Sequence, residues 1–186
     1  MSEILRTFIA VEVPDNVKET VKSLQQELRP FKCRVSWTKP HTVHLSLKFL
    51  GNTDIESVKL IGEALSESLR GIQPFELEIE KTGVFGGKRP RVMWIGLKDN
   101  KILTQVNARI ESAVGKFGYP KEERKYHPHL TIGRVKDPRG TLKMMEHFKS
   151  IRLPAQKFIA KEVVFFKSEL NPIGAVHTPL KRIGFA

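Results

Sequence analysis

The sequence predicts two similar lobes facing each other across a cleft, each built from strands and helices. Three observations carry that expectation. Period-two and period-3.6 hydrophobic patterns alternate along the whole chain. The order of elements recurs after roughly 85 residues. One short alternating motif occurs once in each half, as HLSL at 44–47 and HLTI at 129–132.

The elements follow in order. Residues 8–13 (FIAVEV) read as a strand ended by Pro14, and Asp15 reads as the N-cap of a helix carrying Val17, Val21, Leu24 and Leu28. Pro30 stops that helix, and residues 35–37 form a short strand. VHLSLKFL (43–50) alternates as a strand closed by Gly51-Asn52. Asp54 opens a second helix with Ile55, Val58, Ile61, Leu65 and Leu69 on one face, ended by Gly71. FELEI (75–79) is another strand. GVFGGKRPRV (83–92) reads as a loop joining the halves, about 1–85 and 90–186. The second half repeats the order: a strand at 92–97, a helix from Asn100 carrying Ile102, Leu103, Val106, Ile110 and Val114, and a strand at 130–135. A short helix at 141–149 and strands at 158–167 and 175–185 complete it.

The recurrence is nearly constant in register. Asp15 and Asp99 lie 84 residues apart, His44 and His129 lie 85 apart, and the strand at 75–79 moved by 85 falls inside the strand at 158–167. Two copies of a strand–helix–strand–helix–strand unit, related by a pseudo-twofold axis within a single domain spanning 1–186, explain this.

Composition narrows the chemistry. With 40% hydrophobic and 28% charged residues, the 186-residue chain can bury a core. A net charge of +12 favours phosphate-bearing partners. The single Cys33 excludes an internal disulfide framework and a cysteine zinc site, and suits a reducing compartment. The apolar run in MSEILRTFIAVEV is too short for a membrane span and carries Glu3 and Arg6, so a cytoplasmic location without membrane association is expected.

Strand alternation places residues i and i+2 on one face. His44 and Ser46 therefore share a face, as do His129 and Thr131, with leucine and isoleucine behind them. Brought together across a cleft, two imidazoles and two hydroxyls suit a phosphodiester. One neutral histidine can take a proton from water, and one protonated histidine can give a proton to the leaving oxygen. The hydroxyls can hold the non-bridging oxygens. No metal or other cofactor is called for, since neither motif carries the carboxylates that would hold ions. Strand parity sets Arg134 opposite His129, so it reaches the cleft only if the strand bends near Gly133. Lys88, Arg89 and Arg91 could hold more distant phosphates, and a base could stack on Phe49 or Tyr126. His127 is expected at a strand edge near the cleft, His147 on a helix and His177 at a turn or edge.

The stretches RTFIAVEVP (6–14), VHLSLKFLGNT (43–53), RVMWIGL (91–97) and YHPHLTIGRV (126–135) resemble the two-histidine (2H) phosphoesterase superfamily, in its branch of 2′,5′ RNA ligase-like RNA 2′,3′-cyclic phosphodiesterases. The resemblance implies a bilobal α+β fold, with mainly antiparallel sheets and a central active-site cleft. It implies hydrolysis of an RNA 2′,3′-cyclic phosphate to a 2′-phosphomonoester, with His44 as proton donor and His129 as proton acceptor. Ser46, Thr131 and Arg134 would bind substrate. Ser46 stands where the superfamily usually has threonine, which keeps the hydroxyl and loses the methyl that restricts its rotamer. The implied partner is RNA with a cyclic phosphate end, tRNA halves among the candidates, and a monomer is expected because the cleft is complete in one chain. ATP-independent 2′,5′ ligation, a non-catalytic RNA-binding module and a general polyanion binder are the alternatives.

Overall fold

A computed structural model describes residues 3–172 and 174–186. Its strands are β1 (Ile4–Glu12), β2 (Val35–Trp37), β3 (His44–Asp54), β4 (Phe75–Phe85), β5 (Val92–Leu97), β6 (His129–Val135), β7 (Gln156–Ala160), β8 (Glu162–Asn171) and β9 (Gly174–Gly184). The helices are α1 (Asp15–Leu28), α2 (Ile55–Ser68), α3 (Lys101–Gly115) and α4 (Leu142–Ser150). Among the described residues no helix is long and apolar enough to cross a membrane.

The strands form one antiparallel sheet in the order β7-β4-β5-β6-β3-β1-β8-β9, with β2 beside β6. Its centre is narrow, because β3 and β6 meet at the single pair Leu45–Leu130. Read outward from that bridge, β3, β1 and β8 on one side match β6, β5 and β4 on the other, so the expected pseudo-twofold axis passes between the two motif strands. The expected α+β fold, two-lobed and mainly antiparallel, is the one observed.

The helices cover one face. Val17, Val21, Leu24 and Leu28 of α1, and Leu103, Val106, Ile110 and Val114 of α3, are buried at helical spacing in the main core. Strands β1 and β8 are buried on both faces. Ile9, Val11, Val163 and Phe165 enter the main core, while Phe8, Ala10, Val164 and Phe166 form a second, smaller cluster. This double burial is why FIAV and VVFF read as continuous apolar runs rather than alternations.

Several expectations are corrected. The strand expected at 158–167 is two strands broken at Lys161, and they serve different lobes: β7 pairs with β4, whereas β8 pairs with β1. The expected linking loop at 83–92 is the tip of a hairpin, since β4 continues to Phe85 and pairs with β5. The spatial lobes therefore cut across the halves 1–85 and 90–186. Each half sends its last repeated strand, β4 or β8, to the sheet of the other. Asp15 is not the cap of α1: Pro14 holds the N-cap position, and Asn16 Oδ1 accepts from its neighbour Val17 N. Asn100 does cap α3, accepting from Leu103 N at 2.9 Å.

One buried ion pair ties the first motif strand to α3. Lys48 Nζ lies 2.9 Å from Glu111 Oε2 and donates to the Pro120 carbonyl at 2.6 Å, and both side chains are almost fully buried. Each charge offsets the desolvation of the other. Lys48→Met should destabilise the fold by about 3–5 kcal/mol because it strands a buried carboxylate. Lys48→Met with Glu111→Leu should recover most of that loss, with both effects read by urea unfolding.

Candidate active site

The two motif strands are shaped by matching β-bulges. Along β3, Ala10 pairs with Ser46 and Ile9 with Lys48, so Leu47 is the extra residue. Along β6, Trp94 pairs with Thr131 and Met93 with Gly133, so Ile132 is the extra residue. An extra residue shifts side-chain parity by one. In β6 it returns Arg134 to the face of His129, because Leu130, Ile132 and then Val135 face the core while Arg134 is exposed. The bend that Arg134 requires is this bulge. The pseudo-equivalent of Arg134 is Phe49, which is 62% exposed: Phe49 pairs with Phe8 as Arg134 pairs with Val92. Two lips of one cleft thus carry different chemistry, an aromatic ring on one and a guanidinium on the other.

Helix amides fasten both bulges. Asn107 Nδ2 of α3 donates to the Leu47 carbonyl at 2.9 Å. Gln25 Nε2 of α1 donates to the Ile132 carbonyl at 2.9 Å and to the Thr38 carbonyl at 2.6 Å.

At the bridge, Leu45 faces Leu130. Extended from that one pair, the register sets His44 towards Thr131 and Ser46 towards His129 and makes the two histidines diagonal neighbours, which in a regular ladder lie about 7 Å apart between Cβ atoms. All four side chains are half-buried. The structure therefore brings together His44, Ser46, His129 and Thr131.

Both imidazoles are clamped alike. His44 Nδ1 lies 2.8 Å from the Thr42 carbonyl, and His129 Nδ1 lies 2.8 Å from the His127 carbonyl. A carbonyl only accepts, so each Nδ1 carries the proton and each Nε2 is left as the free ring nitrogen. The lead-ins differ. A 3-10 turn over Pro40–Thr42 presents one carbonyl, and the His127-Pro128 dipeptide presents the other.

Aromatic rings floor the site. His44 stacks on Phe8 at 4.7 Å between centroids, and Phe8 stacks on Phe166 at 5.1 Å. His129 stands edge-on to Phe85 at 4.9 Å, and Trp94 meets His127 at 4.7 Å. Trp94 fits because Gly83 and Gly96 lie against its ring; a Cβ on Gly83 would come within 2.2 Å of it. Desolvation by these surroundings pushes the His44 imidazole down to about 4 and lowers His129 as well. A neighbouring histidine deepens the drop at each ring, His177 at His44 and His127 at His129; the smaller charge effects differ, since Glu12, paired with His44 across the strands, opposes the drop there, while Arg134 adds to it at His129.

The remaining sequence candidates divide. Tyr126 is half-buried, packing against the core and lining the cavity beside the second motif. It donates to the Ser46 carbonyl at 3.0 Å, and burial pushes its hydroxyl pKa up. Arg91 borders Arg134, since its carbonyl accepts from Val135 N, and Lys88 and Arg89 are exposed at the hairpin tip. A cavity of about 520 Å³ flanks the second motif, lined by Lys81, Lys98, Lys125 and His127 among others. His147 pairs with Glu27 away from the site. His177 lies on the edge strand as expected, yet its ring reaches His44, which strand alternation alone could not reveal. Among the described residues no three His, Cys, Asp or Glu side chains cluster as a metal site would need.

Residues 13–172 match the family described as the 2′-5′ RNA ligase superfamily. The chain belongs to that superfamily. Within it, the chain is 34% identical to the RNA 2′,3′-cyclic phosphodiesterase of Methanocaldococcus jannaschii, over 95% of this chain and 99% of that protein. It is 31% identical to the protein of the same name from Methanothermobacter thermautotrophicus, over 95% and 97%. TT0787 of Thermus thermophilus superposes with a TM-score of 0.81 at 24% identity, covering 97% of this chain and 98% of that one. Escherichia coli LigT complexed with 3′-AMP superposes at 0.78 and 22% identity, covering 99% of each chain. These two solved structures establish the superfamily's fold for the present chain.

Two expectations follow. An unfolded histidine takes its proton near 6.5, and folded His44 refuses one until about 4. Its contribution to stability is complete above pH 6.5 and is lost as the pH falls towards 4. Imidazole NMR should show His44 titrating near 4, and urea unfolding should show a shallower acid loss in His44→Gln than in wild type. Separately, Gln25→Leu should cost about 1–3 kcal/mol by taking one hydrogen bond from each of the Thr38 and Ile132 carbonyls, Ile132 keeping a backbone donor in Thr38 N, measured in the same unfolding assay.

Proposed function

We propose that the chain is an RNA 2′,3′-cyclic phosphodiesterase that works without a metal, hydrolysing a cyclic phosphate end to a 2′-phosphomonoester. The observation that carries this reading is the matched clamp. Two histidines at the meeting point of two strands each spend Nδ1 on a carbonyl two residues back and keep Nε2 free. The names of the 28–36% identical relatives support the same substrate.

Burial keeps His129 neutral, and the Arg134 cation holds it so, which suits the base that takes a proton from water. Water oxygen then bonds to phosphorus as the bond to the 3′ oxygen breaks. His44 supplies the proton to that oxygen. It is neutral in the free protein, and the negative charge of the bound phosphate, with Glu12 nearby, draws a proton onto it. Ser46, Thr131 and Arg134 hold the non-bridging oxygens. Phe49 offers its exposed face to a base, and the exposed Lys88, Arg89 and Arg91 hold more distant phosphates of the RNA, tRNA halves being one candidate. One chain supplies every group, so the enzyme acts as a monomer, in a reducing compartment such as the cytoplasm. Ligation to a 2′,5′ bond is the same chemistry run backwards in this site.

The test is hydrolysis of an oligoribonucleotide with a 2′,3′-cyclic phosphate end, in EDTA, with identification of the product isomer. Wild type should yield the 2′-phosphate, and His44→Ala and His129→Ala should each lose about 10²–10⁴-fold in kcat. Full activity in both variants, or loss of wild-type activity to EDTA, would reject the mechanism. Binding without turnover would point to the RNA-binding module.

A further inference from the structure

We propose that His177 is a substrate-binding residue of the first lobe, donating from Nε2–H to a non-bridging oxygen of the phosphate held between His44 and His129. The inference rests on the phosphodiesterase reading above and extends it to a strand outside both motifs.

Reach comes first. Strand β9 lies three places out from β3, through β1 and β8. In a flat sheet that separation would be about 14 Å. The His177 and His44 rings are 5.2 Å apart between centroids, at 89° to each other. His177 also stands edge-on to Phe8 at 4.9 Å. The sheet therefore curls until its edge strand leans over the cleft face, and His177 forms a wall beside the catalytic imidazole.

The second observation is the state of the ring. His177 Nδ1 is buried without a hydrogen-bond partner. A proton there would be a buried donor outside hydrogen-bonding geometry of any acceptor, which favours the tautomer with the proton on Nε2, while desolvation of the ring as a whole is opposed by a backbone hydrogen bond at Val176. His44 has the opposite tautomer, with its proton on Nδ1. The two rings thus present unlike groups, an N–H from His177 beside the Nε2 of His44. Desolvation lowers the His177 pKa, while that backbone hydrogen bond opposes the drop, and His177 in turn lowers the pKa of the neighbouring His44.

The third observation is asymmetry. The second lobe has Arg134 to meet an anion, and the equivalent position of the first lobe is Phe49. At that position the first lobe offers a ring face and no N–H donor. His177 fills that place from the far edge of the sheet.

The experiment uses the whole chain and inorganic phosphate as probe. In ¹⁵N-histidine-labelled wild type, saturating phosphate should shift the His177 Nε2 signal together with those of His44 and His129. His177→Phe keeps a ring against Phe8 and His44 and removes the N–H. It should weaken phosphate binding about tenfold and raise KM for the cyclic-phosphate RNA by a similar factor, with kcat changed much less. His177→Gln, which restores a donor, should recover part of the loss. An unmoved His177 signal at saturation, or wild-type phosphate affinity in His177→Phe, overturns the proposal and leaves the two-histidine reading intact. Failure of wild type to bind phosphate at all overturns both.

Discussion

The site depends on the two β-bulges in the motif strands. An unbroken alternation would put Lys48 on the cleft face with His44 and would turn Arg134 away from His129. The extra residues at Leu47 and Ile132 reverse both outcomes. Lys48 is turned into the core, where it meets Glu111, and Arg134 comes round to the cleft. A bulge leaves backbone groups outside the ladder, and amide side chains from helices help to meet their cost: Asn107 at Leu47, and Gln25 at Ile132, where Thr38 N also donates. The helices do more than cover a hydrophobic face. They hold the local kinks that aim the chemistry.

Burial and clamping then act in opposite directions on the histidines. The aromatic floor and the buried strands remove water and lower the proton affinity of both rings, while the Thr42 and His127 carbonyls hold the Nδ1 protons and favour the charged form. Burial wins in the free protein. In the proposed reaction, a phosphate anion between the rings adds the missing counter-charge, so the acid would form when substrate is present. Glu12 beside His44 and Arg134 beside His129 act in opposite directions on the two imidazoles, an asymmetry that the proposed division into acid and base uses.

Much of this is legible in the sequence, and the limits have physical causes. Periodicity locates the helices, since Val17, Val21, Leu24 and Leu28 or Leu103, Val106, Ile110 and Val114 can share a core only as helix faces. Alternation within HLSL and HLTI places histidine and hydroxyl together. Patterns confined to one element carry no information about pairing, so the exchange of β4 and β8 between lobes cannot be read from them. The break at Lys161 is hidden for the same reason, because apolar runs, FIA and VVFF, stand on either side of Lys161-Glu162 and neither glycine nor proline marks the corner. Parity misplaces Arg134 because a bulge leaves no signature in composition. His177 carries no local signal of its role, because its proximity to His44 arises from the curl of the whole sheet.

The exchanged strands have a consequence for how such a molecule could have come to exist. A single half, with its β4 or β8 equivalent committed to a neighbouring sheet, cannot satisfy its own backbone edges. It closes only against a second copy that returns the same strand, as a swapped, self-complementary pair. Fusing two such copies into one chain would leave the embrace intact. It would also free each former subunit to diverge, one keeping an arginine on its lip and the other a phenylalanine.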